Sequence, residues 1–222
     1  AFGYDWSYPP DAALARGGDF AELFFEYRLH SSVLMEEAII KETSESVGLG
    51  LGVRVWAGDR TGYGHTNDLS PERMAQAARS AAAIALSGRP AVSLPGFTPL
   101  SPLPQIYREV SPAGTAALND KIGLVRQAYA SCLGYSPEIK KARVGWGDMV
   151  QHLTVVNSEG LVVSDVRPMV KLTCVGIAER GSLREYGFSG GGGRVGLEYF
   201  SASQTPASIG REAAEEAIRL LD

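Results

Sequence analysis

Histidine and cysteine, the residues that most often hold metals or attack carbonyls, are scarce in this chain. Its 222 residues include three histidines and two cysteines. His30, His65 and His152 are scattered, and none has Glu, His or Cys at metal-ligand spacing, so each reads as a surface or capping residue. Cys132 and Cys174 stand far apart with no paired-ligand pattern, which reads as two buried thiols in a reducing compartment. No apolar run approaches the roughly 20 residues of a membrane span. Positive charge is not in excess either. The net charge is −4, which leaves no electrostatic footprint for nucleic acid or an anionic membrane. No secretory pattern is visible, and a start at Ala1 rather than Met implies a trimmed terminus or a local numbering. The expected location is the cytoplasm.

What the chain does have is glycine, arranged in a distinctive stretch from Gly48 to Leu86. From Val47 to Ala57 the odd positions are all apolar (Val47, Leu49, Leu51, Val53, Val55, Ala57), the period of a strand with one buried face. Gly48, Gly50 and Gly52 on the opposite face imply close approach by another backbone or side chain. Gly58-Asp59-Arg60 is turn chemistry, and Thr61 to Thr66 can return as a hairpin partner. Ser70-Pro71-Glu72 then opens a helix. Serine can accept from free amides, proline needs no partner at the first position, and glutamate suits the dipole. Met74, Ala77, Ala78, Ala81, Ile84 and Ala85 give that helix a small-residue stripe suited to lying close on a sheet.

The pattern recurs. A first lobe, 1–87, reads as a short helix near Asp11–Arg16, strands near Glu22–Leu29, Val33–Ile40, Val47–Ala57 and Thr61–Thr66, and the Ser70-Pro71 helix. Residues 88–114 hold six of the twelve prolines and show no periodicity, as expected of an extended connector. A second lobe, 115–222, opens with a helix near Leu118–Leu133. Strands follow near Arg143–Gly147, Gln151–Asn157, Leu161–Asp165, Met169–Glu179 and Leu183–Phe188, and a helix capped by Thr205-Pro206 closes it. Asn157-Ser158-Glu159-Gly160 is a hairpin turn. Met169–Ala178 is apolar on both faces, as in a central strand covered on both sides. The expected fold is α+β, with two similar lobes, each an antiparallel meander flanked by helices and together one domain.

Three motifs invite chemistry. Gly187-Phe188-Ser189-Gly190-Gly191 matches the G-x-S-x-G nucleophile elbow, yet no helix follows the serine and the last histidine, His152, lies upstream. Gly191 to Gly196 fits G-x-G-x-x-G, but a dinucleotide site needs that turn to open a helix inside a βαβ unit, and the next helix signal is Thr205. Glu215 and Glu216 sit on the polar side of a helix and read as solvated charge. What remains is Ser189, Gly190, Gly191, Gly192, Gly193 and Arg194 as a loop that either faces a substrate or partner or is a hairpin tip without a role. No catalytic residue and no metal ligand can be assembled from the residues.

The wording of several segments adds a resemblance. Arg16-Gly17-Gly18-Asp19-Phe20-Ala21-Glu22, Gly58-Asp59-Arg60-Thr61-Gly62-Tyr63 and Thr66-Asn67-Asp68-Leu69-Ser70 resemble the N-terminal domain of the TldD/PmbA family, in its TldD branch. Asn157-Ser158-Glu159-Gly160, Ser164-Asp165-Val166-Arg167-Pro168 and Ser189 to Tyr199 continue the likeness. The resemblance implies a cytoplasmic zinc metallopeptidase of peptides or unfolded segments, first noticed as a modulator of DNA gyrase. It also implies pairing with a sister subunit or a homo-oligomer around an enclosed cavity, with no nucleic-acid or membrane partner. The family's zinc helix reads His-Glu-x-x-x-His, and no His-Glu pair occurs here: Ser31, Thr66 and Leu153 follow the three histidines. The expectation is therefore a non-catalytic N-terminal domain that holds no cofactor itself, with zinc bound beyond Asp222 in the full-length protein. The alternative is a stand-alone interaction module with no peptidase activity.

Overall fold

The computed structural model describes Ala13 and residues 18–85, 98–99 and 106–222. Apart from Ala13, the helix expected near Asp11–Arg16 lies outside these residues, as does most of the proline-rich connector. Seven strands, four α-helices and a short 3-10 helix (Ala113–Thr115) are described: β1 (Phe20–Glu36), β2 (Ile39–Ala57), β3 (Arg60–Thr66), α1 (Pro71–Ala85), β4 (Thr98–Pro99), α2 (Leu118–Leu133), β5 (Ile139–Asn157), β6 (Leu161–Arg180), β7 (Leu183–Gly193), α3 (Tyr199–Ala202) and α4 (Pro206–Leu221). The strands pair in the order β3-β2-β1-β5-β6-β4, with β7 also on β6. The fold is α+β, as the sequence pattern implies.

Several strands are longer than local pattern suggests. Two pairs expected on either side of His30-Ser31-Ser32 and of Lys41 to Ser46 are continuous as β1 and β2, and the turn lies instead at Glu37-Ala38. Both turn residues have positive φ, 50° and 62°, which matches a primed two-residue hairpin despite the absence of glycine. In the same way β5 runs through Gly147-Asp148 and β6 through Val166 to Pro168. The second hairpin falls where expected. Asn157 Oδ1 accepts from the N–H groups of Glu159 and Leu161, both at 3.0 Å, and Gly160 takes φ 87°.

The chain forms two compact units that are not sequential, because β1, β2, β5 and β6 each contribute to both. The first comprises Ala1–Arg28, Gly48–Gln105 and Gln151–Val166. Its core joins Leu23 and Phe25 of β1 with Leu51, Val53 and Val55 of β2 and the α1 stripe of Met74, Ala77, Ala78 and Ala81. The helix lies unusually close to β3. A Cβ on Gly62 would sit 1.9 Å from the Ala81 carbonyl oxygen, and one on Gly64 would sit 2.3 Å from that of Ala77. Small residues on both surfaces are what permit this approach.

The second unit comprises Leu29–Val47, Ile106–Val150 and Arg167–Asp222. Val33, Met35, Val144, Trp146, Leu172 and Cys174 on the strands pack against Val125, Tyr129 and Cys132 of α2 and Ile209, Ala213 and Ala217 of α4. The same close packing recurs: a Cβ on Gly187 of β7 would meet the Ala213 oxygen at 2.1 Å, and one on Gly210 would meet the Ala128 oxygen at 2.1 Å. Helix α4 begins as expected, with Thr205 Oγ1 accepting from the Ser208 N–H at 3.1 Å and Pro206 following. One expectation is corrected here. Strand β6 is buried on the face of Val170, Leu172 and Cys174, while Thr173, Val175 and Ile177 on the other face are only half-buried and Met169 is exposed. Alternating apolar residues on both sides do not by themselves require a layer on both sides.

Candidate functional site

The segment expected as a loop, Ser189 to Arg194, is strand as far as Gly193. Its register against β6 runs Cys174↔Ser189, Thr173↔Gly190, Leu172↔Gly191, Lys171↔Gly192 and Val170↔Gly193. Glycine is needed here for packing. A Cβ on Gly192 would lie 2.1 Å from the Val170 oxygen, and one on Gly191 would lie 2.1 Å from Gln204 Oε1. Beside this ladder is a shallow hollow of about 570 Å³, bordered by Met169, Lys171, Thr173, Phe188, the glycines, Arg194 and Tyr199. Arg194 places its guanidinium 5.3 Å from the centre of the Tyr107 ring, a cation–π distance.

This arrangement contains no activated nucleophile. Ser189 is buried and its hydroxyl donates to Glu212 Oε2 at 2.7 Å, while Gln204 Nε2 donates to the same oxygen at 3.0 Å. The elbow geometry is missing as well, because Ser189 sits inside a strand rather than on a strand-to-helix turn. A one-turn helix, α3, precedes the Thr205 signal and was not expected, but it starts at Tyr199, beyond Gly196. Glu198 at its start holds the preceding bend together. Burial pushes this carboxyl up, but the N–H groups of Ser111 and Gly196, at 2.9 and 3.0 Å, help to hold it below the ordinary 4.5.

Glu216 corrects a second expectation. Rather than being only solvated, its carboxylate accepts from the Phe188 N–H at 2.6 Å, so a helix side chain caps the middle of β7. Capping of this kind blunts an edge strand. By contrast, β3 pairs with β2 only from Leu51 to Ala57, and the outer side of residues 39–50 has no strand partner among the described residues.

The histidines are not brought together into a ligand set. His30 is exposed, the His65 ring stacks on Tyr63 with centroids 6.0 Å apart, and the His152 ring lies 5.9 Å from Tyr27. Among the described residues no group of three or more His, Cys, Asp or Glu could hold a metal ion. The described residues therefore do not fit a zinc site. A polar hollow of about 660 Å³ beside His65, Asn67, Asp68, Arg73, Gln76 and Ser80 carries one of these histidines, with Arg73 already bonded to Gln76.

Sequence reasoning missed one buried polar cluster. Lys121 of α2, Ser31 of β1 and Asp148 of β5 are each at least 94% buried. Lys121 Nζ lies 2.8 Å from Asp148 Oδ2 and donates to Ser31 Oγ at 2.8 Å; Ser31 and Trp146 Nε1 also donate to that carboxylate oxygen. Held by Asp148 and Ser31, the lysine ties α2 to two strands. The period-two spacing of Asp148 within β5 was the available signal, since that parity faces inward. Cys132 and Cys174 are both buried, as expected. A hydrogen bond from Cys174 pulls the Cys132 thiol down, and the same bond together with burial pushes Cys174 up.

Comparison with known proteins agrees with the described architecture. Residues 21–85 match the PmbA/TldA metallopeptidase domain 1, and residues 112–221 match the PmbA/TldA metallopeptidase central domain. A metalloprotease TldD homolog from Haemophilus influenzae is 26% identical over 186 residues, covering 83% of this chain and 38% of that protein. A metalloprotease from Methanothermobacter thermautotrophicus is 27% identical over 193 residues, covering 86% of this chain and 41% of that protein. The chain thus spans well under half the length of these relatives. In fold it is similar to a candidate modulator of DNA gyrase from Bacteroides thetaiotaomicron, with a TM-score of 0.75 at 16% identity over 95% of this chain and 48% of that one. TldE from Thermococcus kodakarensis gives a TM-score of 0.64 at 18% identity, over 90% of this chain and 44% of that one. Matched in order by models of its first and central domains, the chain belongs to the PmbA/TldD metallopeptidase family.

Proposed function

We propose that these residues form a non-catalytic, N-terminal part of a TldD-type zinc-dependent peptidase of the cytoplasm, where they help to wall the substrate cavity and to build the subunit interface. The observation that carries this reading is the match to the family's domain 1 and central domain, joined to a set of described residues that offers no metal-ligand cluster. Supporting it, the second unit leaves one sheet face uncovered, with exposed Met169, Tyr186 and Phe188. The edge of β2 over residues 39–50, without a strand partner among the described residues, suits main-chain pairing with a sister subunit or a second copy. In this reading lobes 1–87 and 115–222 are fused copies of one unit, each ending in a glycine-bearing strand under an alanine-rich helix. Ser189 to Arg194 contribute to the cavity wall rather than to a reacting centre. The substrates are peptides or unfolded segments, and zinc belongs to the full-length protein.

Metal analysis and a peptidase assay of the purified 222 residues test the reading. The expected result is substoichiometric zinc and no turnover of casein or of an unstructured peptide. Stoichiometric zinc with turnover would overturn it.

A further inference from the structure

We propose that the uncovered face of β5, β6 and β7 in the second unit is a trough for extended polypeptide rich in Asp and Glu. The proposal rests on the peptide-cavity reading above and adds a substrate class to it.

The trough has a bare floor. Gly145 and Gly147 on β5 and Gly190 on β7 flank Thr173 and Lys171 of β6. A Cβ added at Gly147 would meet nothing within 4 Å, so space there is open rather than filled by a neighbour. One wall is apolar: Phe188 and Tyr186 are 59% and 53% exposed, opposite half-buried Val175 and Ile177. At that end lies a second hollow of about 500 Å³, bordered by Lys141, Arg143 and Arg184.

Charge on this face runs against that of the chain. The whole sequence is net −4, yet the two hollows and their rim carry Lys140, Lys141, Arg143, Lys171, Arg184 and Arg194 against Glu36, Glu37 and Glu179, with Glu37 paired to Lys41. Glu36 is spent on Arg143 at 2.7 Å, and Glu179 on Arg184 at 3.5 Å. Lys171 has no ion-pair partner among the described residues, and Lys141 only feels the field of Glu37 from the hairpin turn. Cations left unpaired around a low-dielectric floor focus the field and attract anionic side chains. The bare backbone at Gly147, where an added Cβ would meet nothing within 4 Å, leaves room for an extended polypeptide beside Lys171.

Fluorescence anisotropy with three labelled twelve-residue peptides that differ only in Asp/Glu, Ser/Gln or Lys content tests this on the purified protein. The acidic peptide is expected to bind about tenfold more tightly than the neutral one at low salt, with the gap closing at 0.5 M NaCl, as two exposed charge pairs would give. Lys141→Gln with Lys171→Gln should remove the preference while leaving the neutral peptide and the thermal midpoint unchanged. Gly147→Val should weaken all three peptides. Equal binding of acidic and neutral peptides overturns the charge preference alone. Failure of every peptide to bind overturns the peptide-cavity reading with it. Equal or tighter binding of a single-stranded oligonucleotide that displaces the acidic peptide overturns the proposal in favour of nucleic acid.

Discussion

At the scale of single residues, glycines do opposite things in this protein according to what stands above them. At Gly187 a methyl group would collide with the α4 backbone, meeting the Ala213 oxygen at 2.1 Å and the Ala217 nitrogen at 2.3 Å. Gly187→Ala should therefore cost at least about 1–3 kcal/mol, as overpacking does. Gly123 of α2 has nothing within 4 Å of such a methyl, so Gly123→Ala should stabilise by about 0.5–1 kcal/mol through helix propensity. Urea unfolding of the two variants checks the contrast, and equal stabilities would contradict the packing argument. The cluster at Asp148 is the other sensitive point. Lys121→Met leaves its carboxylate buried without a counter-ion, which should cost about 3–5 kcal/mol, and adding Asp148→Asn should recover part of that loss. A variant as stable as the parent would show that the ion pair is not closed to water.

At the scale of elements, caps and bends set where helices begin. Thr205→Ala removes the acceptor for the Ser208 N–H and should cost about 1 kcal/mol, measured as a lower thermal midpoint. The bend before α3 depends on an ionised Glu198. Its folded-state pKa lies below the ordinary 4.5, so its contribution is present above that value and is lost as pH falls through the lowered one. Acid titration of stability should accordingly be less steep in Glu198→Gln below pH 4.5, and an unchanged slope would remove Glu198 from that account. Element type and the helix starts at Leu118 and Pro206 were legible in the sequence, because periodicity and capping are local signals. Strand lengths were not. Ser31 and Asp148 look like breaks in an apolar pattern, but they are buried inside continuous strands because each satisfies the other across β1 and β5.

At the scale of the whole molecule, compact units and sequence order part company. Val33 and Met35 of β1 belong to the same core as Val144, Leu172 and Ala213, more than a hundred residues later. A fragment of residues 106–222 lacks those side chains and Ser31. It should show no cooperative thermal transition by circular dichroism, and a sharp transition would mean that this core closes without β1. The candidate site follows the same logic. Ser189 to Arg194 stood out by composition, whereas Gly145, Gly147, Lys141 and Lys171 come to the same face only through pairing of β5, β6 and β7.

Sequence alone settled the α+β class, the helices that begin at Pro71, Leu118 and Pro206, the Thr205 cap, the hairpin at Asn157 to Gly160 and the family, because these rest on contacts within a few residues or on wording kept in order along the chain. Tertiary structure decided where strands end, which face of β6 stays bare and how Lys121 meets Asp148. It also turned the expected glycine loop into a strand. Each of those outcomes depends on a partner distant in sequence, and a local pattern cannot report whether a buried polar group or a bare backbone will find one.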